Sequence, residues 1–272
     1  MRDAPLTTLL GCWLDERLAR RRPRGPFVVG INGPQGSGKS TLVAQLVARF
    51  RGAGLSAAGV SVDDFYLTHA GQGALAAANP GNPFLEHRGY PGTHDVPFGA
   101  AVLDALSSSE AIGVAVPAYD KSAHGGRGDR EARDRWPQVS TPLDVLFVEG
   151  WLLGFQAVPE IELPDDRLRG PNAALVAYAA WERHLNAFVQ LVALLPAHIV
   201  AWRVDAERAR RNSGAPALSD AEARDYITRF LPAYALWGPP LRSRLDLPGA
   251  TMGDVLRVEL SADRTPLRVV PG

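Results

Sequence analysis

The chain has 272 residues, 46% hydrophobic and 21% charged, enough for one large α/β domain with a full core. Its 29 basic and 29 acidic residues cancel, which leaves no electrostatic footprint for nucleic acid or an anionic membrane. One cysteine, Cys12, excludes an internal disulfide framework and fits a reduced, cytoplasmic setting, and the apolar run NAFVQLVALLPAHIVAW is broken by Pro196, so no membrane span is expected.

Residues 1–25 read as an N-terminal helix whose last cations, in RLARRRPR, suit the negative end of its dipole. A transit peptide fits less well, because Asp3, Asp15 and Glu16 lie close by. PFVVGIN (26–32) then reads as a buried strand, followed by a glycine-rich turn and the helical pattern of residues 39–50. Further strands are expected at 55–62, 111–119, 143–150 and 197–204, with helices around 96–107, 172–195 and 219–231. That alternation predicts a parallel sheet covered by helices on both faces, in one domain spanning 1–272. Residues 250–272 are expected to form a C-terminal appendage in which VLRVEL and PLRVV make a hairpin or an edge pair. Two long polar segments, 66–95 and 120–142, follow predicted strands, where an open parallel sheet places its ligands.

GPQGSGKS, residues 33–40, matches G-x-x-x-x-G-K-[ST] between a predicted strand and a predicted helix. In this motif Gly33, Gly36 and Gly38 let the loop, with Pro34, Gln35 and Ser37 between them, curl its backbone N–H groups around phosphate, Lys39 reaches the β- and γ-phosphates, and Ser40, followed by Thr41, offers a hydroxyl to Mg²⁺. The second carboxylate that such a metal needs is supplied by Glu149, at the end of LFVEG, whereas Asp144 begins the same strand and belongs at the opposite edge. An N-K-x-D base-reading element is excluded, because the chain has only two lysines, Lys39 and Lys121, beside 27 arginines. The phosphate loop alone leaves open an assembly or regulatory ATPase.

An acceptor-side base separates a kinase from those alternatives. SVDDFY ends its strand with Asp63 and Asp64, either of which could take a hydroxyl proton or cap a turn. PGTHD offers Thr93, His94 and Asp95 as substrate contacts or as a cap for the next helix. AYDKSAHGGRGDR, residues 118–130, brings Asp120, Lys121 and Arg130 into a pliable loop suited to a small anion. In DAERARRNSG, 205–214, Arg208 and Arg211 share a helix face and could close over phosphates as a lid, or form a solvated basic face. His184 is expected to pack rather than to bind.

Taken together, INGPQGSGKSTL, VSVDDFYLT, PGTHD, AYDKSAHGGRGDR, VLFVEGWLLGF and ALSDAEARDYITRFLPAY resemble the D-glycerate 3-kinase family, from about residue 27 to 237. The resemblance implies a P-loop NTPase three-layer sandwich akin to uridine kinase and phosphoribulokinase. It implies phosphorylation of D-glycerate to 3-phosphoglycerate with ATP and Mg²⁺. It puts residues 33–41 on ATP, Asp63 at the base, Glu149 at the metal, and Asp64, Tyr66 and the 118–130 loop on the acceptor side. Other acceptors for such a kinase are a nucleoside, pantothenate or a sugar phosphate. Family members read W-R-L-Q-A-E entering the lid, whereas this chain reads W-R-V-D-A-E from Trp202 to Glu207, with Asp205 in place of the amide.

Overall fold

The structure is a computed structural model that describes residues 5–20, 25–110, 112–243 and 254–271. Residues 1–4 and 21–24 of the expected N-terminal helix and 250–253 of the appendage lie outside the described residues. The elements are α1 (Leu6–Arg20), β1 (Phe27–Asn32), α2 (Lys39–Gly52), β2 (Ala57–Ser61), a 3₁₀ turn (Val62–Phe65), α3 (His69–Ala78) and α4 (Val96–Leu106). They continue with β3 (Gly113–Ala115), β4 (Tyr119–Asp120), β5 (Asp129–Arg130), β6 (Gln138–Ser140), β7 (Val145–Gly150) and β8 (Ala187–Ala193). The chain closes with α5 (Pro196–Asn212), α6 (Asp220–Thr228), α7 (Leu231–Ser243), β9 (Val255–Leu260) and β10 (Pro266–Pro271).

The main sheet runs β2-β7-β1-β8-β9-β10, parallel except for the last pairing, which is the expected C-terminal hairpin. Because side chains alternate across a strand, each strand feeds two cores. Val29, Ile31, Val145 and Phe147 pack with Leu10 and Leu14 of α1 and Leu42, Leu46 and Phe50 of α2. Val28, Leu146 and Val148 pack on the other face with Leu103 of α4 and Ile227, Trp237 and Leu241 of α6 and α7. Helices on both faces of one sheet make the three-layer sandwich that the sequence predicts.

Two expected strands change. Residues 197–204 are helix, and the neighbouring strand is β8, inside the segment 172–195 expected to be helical. AFVQLVA, apolar but for Gln190, is buried throughout apart from a half-buried Ala193, and a segment buried on both faces has no period to separate strand from helix. Pro196 then sits at the first turn of α5, where its missing N–H costs nothing, and Ile199 and Trp202, three apart, face the core. The expected strand 111–119 does not join the main sheet: β3 pairs antiparallel with β6, and β4 with β5, as two small ribbons beyond its edge. Residue 111 itself lies outside the described residues.

Candidate active site

Parallel pairing brings the carboxyl ends of three strands to one rim. Ile31 of β1 and Ser61 of β2 both stand opposite Glu149 of β7, so the phosphate loop, Glu149 and the 62–65 turn emerge side by side. Asp144, at the far end of β7, accepts hydrogen bonds from the N–H and hydroxyl of Ser56, each 2.7 Å, at the opposite edge as expected.

The phosphate loop is held from several directions. Gly38 caps α2 in the left-handed region (φ 88°), and Gly36 (φ 79°) lies so close to α5 that a Cβ would stand 2.5 Å from the Trp202 carbonyl. Tyr234 of α7 accepts from the Gln35 N–H at 3.0 Å, and Asn32 ties the end of β1 to the Trp151 and Leu153 carbonyls, each at 2.9 Å. Pro34 accepts from both the Ser37 N–H and the Lys39 ammonium, each at 3.1 Å. Lys39 is only 8% exposed, and burial pulls its ammonium below the ordinary lysine range against the opposing fields of Glu149 and Asp63. A buried ammonium whose hydrogen-bond partner is a carbonyl, beside a buried Ser37 hydroxyl with none, is a cradle awaiting an anion.

The Ser40 hydroxyl donates to Glu149 Oε1 at 2.7 Å. One hydroxyl and one carboxylate, adjacent to the phosphate cradle, form a hard oxygen donor set that fits Mg²⁺ shared with phosphates.

At the end of β2, Ser61 accepts from the Asp63 N–H at 3.3 Å and turns the chain so that Asp63 meets Lys121. The Lys121 ammonium donates to Asp63 Oδ2 at 2.6 Å. Burial pushes the Asp63 carboxyl up, but the charge and hydrogen bond of Lys121, with help from Lys39, overcome it and hold the group well below the usual carboxylate range. Asp64 accepts from the Tyr119 N–H at 3.3 Å, and burial followed by repulsion from Asp63 pushes its carboxyl up to about 6. Both lysines of the chain therefore act on Asp63. Tyr66 is buried with its hydroxyl beside Asp63, which together with burial keeps it protonated, and its ring stacks on His94 at 4.3 Å. The Tyr178 hydroxyl accepts from the Gly92 N–H at 3.1 Å and contacts His94 Nδ1 at 2.7 Å; burial pulls His94 down to about 3, so the ring stays neutral.

Residues 28–161 match the Phosphoribulokinase / Uridine kinase family. The chain is 40% identical over 247 residues to the chloroplastic D-glycerate 3-kinase of Arabidopsis thaliana, an alignment covering 89% of this chain and 54% of that one. It is 35% identical over 240 residues to the uncharacterized kinase mug58 of Schizosaccharomyces pombe, covering 83% and 86% of the two chains. The solved D-glycerate 3-kinase of Cryptococcus neoformans superposes with a TM-score of 0.87 at 28% identity, over 99% of this chain and 100% of that one. The chain belongs to the same kinase family as mug58. It spans about half the length of the plant D-glycerate 3-kinase.

Within this P-loop kinase fold the other residues singled out from the sequence make the following contacts. Asp95 caps α4 by accepting from the Phe98 N–H at 3.2 Å, while Thr93, fully buried, bonds to Gly89 and Tyr90 of its own turn. Asp120 holds the loop, accepting from the N–H and hydroxyl of Ser122 at 2.8 and 2.6 Å, so Lys121 turns to Asp63 and not to Asp120. Arg130 is anchored on the Tyr66 carbonyl at 3.1 Å and on Asp95 at 3.4 Å. Arg208 and Arg211 are exposed and both grip Asp220 at the start of α6. His184 Nε2 lies 3.3 Å from Asp104 Oδ1, with the His184 side chain largely buried.

One contact had no sequence signal. Arg264, in the β9–β10 turn, donates to the Gly36 carbonyl at 2.8 Å and to the Trp202 carbonyl at 3.2 Å. Asp205, the carboxylate that departs from the family pattern, lies 3.6 Å from that guanidinium. The C-terminal hairpin thus braces the phosphate loop from behind.

Proposed function

We propose that the protein is a kinase that transfers the γ-phosphoryl group of ATP, with Mg²⁺, to the 3-hydroxyl of D-glycerate, giving 3-phosphoglycerate and ADP. The observation that carries this reading is the meeting of Asp63, paired with Lys121, and the Ser40–Glu149 pair at one rim of the sheet, on either side of buried Lys39. An assembly ATPase has no need of a base and a cation on the acceptor side.

In the proposed reaction the acceptor oxygen attacks the γ-phosphorus in line, the bond from phosphorus to the β–γ bridging oxygen breaks, and ADP departs with the bond's electrons. Asp63 takes the hydroxyl proton. Lys39 lies against the β- and γ-phosphates and stabilises the charge that gathers there, and the N–H groups of the phosphate loop hold the β-phosphate at the positive end of α2. Ser40 and Glu149 would hold Mg²⁺, which neutralises charge on the β- and γ-oxygens. Tyr66 and neutral His94 pack beside Asp63, and Lys121 supplies the cation for the acceptor carboxylate. Arg208 and Arg211 sit on an exposed helix end able to move over the nucleotide once Asp220 releases them. A reduced cytoplasmic setting is part of this reading. Among the described residues no helix is long and apolar enough to cross a membrane.

The test is a panel of acceptors with ATP and Mg²⁺, read by product mass and by NMR for the phosphorylated position. D-Glycerate should be consumed with one phosphate gained on O3. Preferred phosphorylation of a nucleoside, pantothenate or a sugar phosphate would move the acceptor. ADP formation with no phosphorylated acceptor in the panel would return the protein to the ATPase class.

A further inference from the structure

We propose that Lys121 is a charge-exchange gate on Asp63: the ammonium masks the base until the carboxylate of the acceptor draws it away. This rests on the reading of Asp63 as the base. A carboxylate bonded at 2.6 Å to an ammonium is a poor proton acceptor, because proton transfer to it is opposed by the cation that stabilises its charge. For Asp63 to act, Lys121 must shift its bond elsewhere.

The surroundings allow that shift at the side chain alone. The backbone of the loop is pinned: Arg88 reaches the carbonyls of Lys121 at 3.1 Å and Gly126 at 2.9 Å, and that of Arg127. Asp129 accepts from the N–H groups of His69 at 2.9 Å and Arg130 at 2.8 Å and pairs with His124 at 3.1 Å. The Lys121 side chain, in contrast, is half exposed and bonds only to Asp63 among the described residues. Its neighbours cannot stand in for it. Arg130 is fixed on Asp95 and the Tyr66 carbonyl, and Lys39 is buried against Pro34 on the nucleotide side. An anionic acceptor arriving beside Asp63 therefore meets one cation that can turn to it, and in turning unmasks the base.

The consequence is selectivity of a particular kind. A hydroxy acid both binds Lys121 and frees Asp63. A neutral polyol of the same size, or a water molecule, carries no charge to exchange and leaves the base masked. The gate thus favours hydroxycarboxylates and restrains ATP hydrolysis when the acceptor is absent.

The experiment compares wild type with Lys121→Met and Lys121→Arg in three reactions at saturating ATP and Mg²⁺: ADP release without acceptor, transfer to D-glycerate, and transfer to glycerol. Melting temperatures report the fold of each variant. Lys121→Met should raise acceptor-free hydrolysis at least about threefold and lower kcat/KM for D-glycerate about ten- to a hundredfold, as loss of a charge-assisted contact does. Transfer to glycerol should stay level or rise, so the preference for glycerate over glycerol collapses. Lys121→Arg keeps the charge and should keep hydrolysis low while losing glycerate turnover, because a planar fork fits a small pocket poorly. A Lys121→Met that lowers both acceptors by one factor and leaves hydrolysis flat overturns the gate. If wild type leaves D-glycerate untouched, the proposed function fails, yet the hydrolysis arm still judges the gate. The carboxyl ¹³C titration of Asp63 does so too: it should move upward in Lys121→Met, and unchanged titration overturns the proposal.

Discussion

The nucleotide side of the cleft stands on β1 and α2, both rooted in the main sheet, and its charged groups are buried: Lys39 is 8% exposed and Glu149 6%. The acceptor side stands on β4 and β5, strands of two residues each in one small ribbon, and its Lys121–Asp63 ion pair and His124–Asp129 contact are partly open to solvent. Under the proposed function the difference follows from what each side must do. Phosphate geometry is constant, so backbone N–H groups and a buried ammonium can be set in advance at the cost of desolvation. An acceptor has to enter, be recognised and leave as product, so its cations sit on solvated, adjustable side chains.

Asp63→Asn should break the acceptor side most severely. Removing a general base costs on the order of 10²–10⁴ in rate. The fall should appear in kcat, with the KM for ATP little changed, and Asp64→Asn should cost less; the opposite ranking in steady-state kinetics would assign the base to Asp64. Lys39→Ala, on the nucleotide side, should lower phosphoryl transfer about 10²- to 10³-fold with the fold retained, as loss of a preorganised charge stabiliser does. Near wild-type turnover in that folded variant would remove the phosphate cradle from the reaction.

Arg264→Ala sharpens the comparison further. Losing a guanidinium bond to the Gly36 carbonyl should raise the KM for ATP about three- to tenfold, in line with roughly 1 kcal/mol for a half-exposed charged hydrogen bond. The KM for the acceptor should not move, and equal changes in both would show that the hairpin supports the whole fold and not the phosphate loop.

The smallest effect is on stability. Asp64 holds its proton to about pH 6, whereas the ordinary carboxyl value is 3.8. Between those values the folded chain binds the extra proton, so this group's contribution falls as pH rises through the window and stays low above it. Asp63, held low by Lys121, behaves oppositely: its contribution is present above the ordinary value and is lost as pH falls. Asp64→Asn should therefore raise the melting temperature by a few degrees near pH 7.5, corresponding to roughly 1–2 kcal/mol, and the gain should vanish near pH 4. A gain independent of pH in thermal scans would mean that Asp64 is not the titrating group.

Local pattern carried far on one side and stopped short on the other. Residues 33–40 stand out because glycine, lysine and serine at fixed spacing between a strand and a helix match one geometric demand. The place of Glu149 at the rim was legible because it lies at the carboxyl end of an apolar strand. For the PGTHD turn, helix capping and substrate binding call on the same residue types, and only the Asp95 bond to Phe98 N–H separates them. The β8–α5 exchange was illegible for a different reason: a strand buried on both faces has lost the alternation that identifies a strand.

The sequence by itself determined the phosphate loop, the sandwich and the kinase family, because these rest on contiguous residues whose spacing is the signal. The tertiary structure decided which charges meet. Lys121 reaches Asp63 across 58 residues of chain, and Arg264 reaches Gly36 across 228. Such pairings arise where the strands' carboxyl ends converge and where the C-terminal hairpin closes behind β8. No local spacing encodes them, because each depends on the packing of the whole sheet.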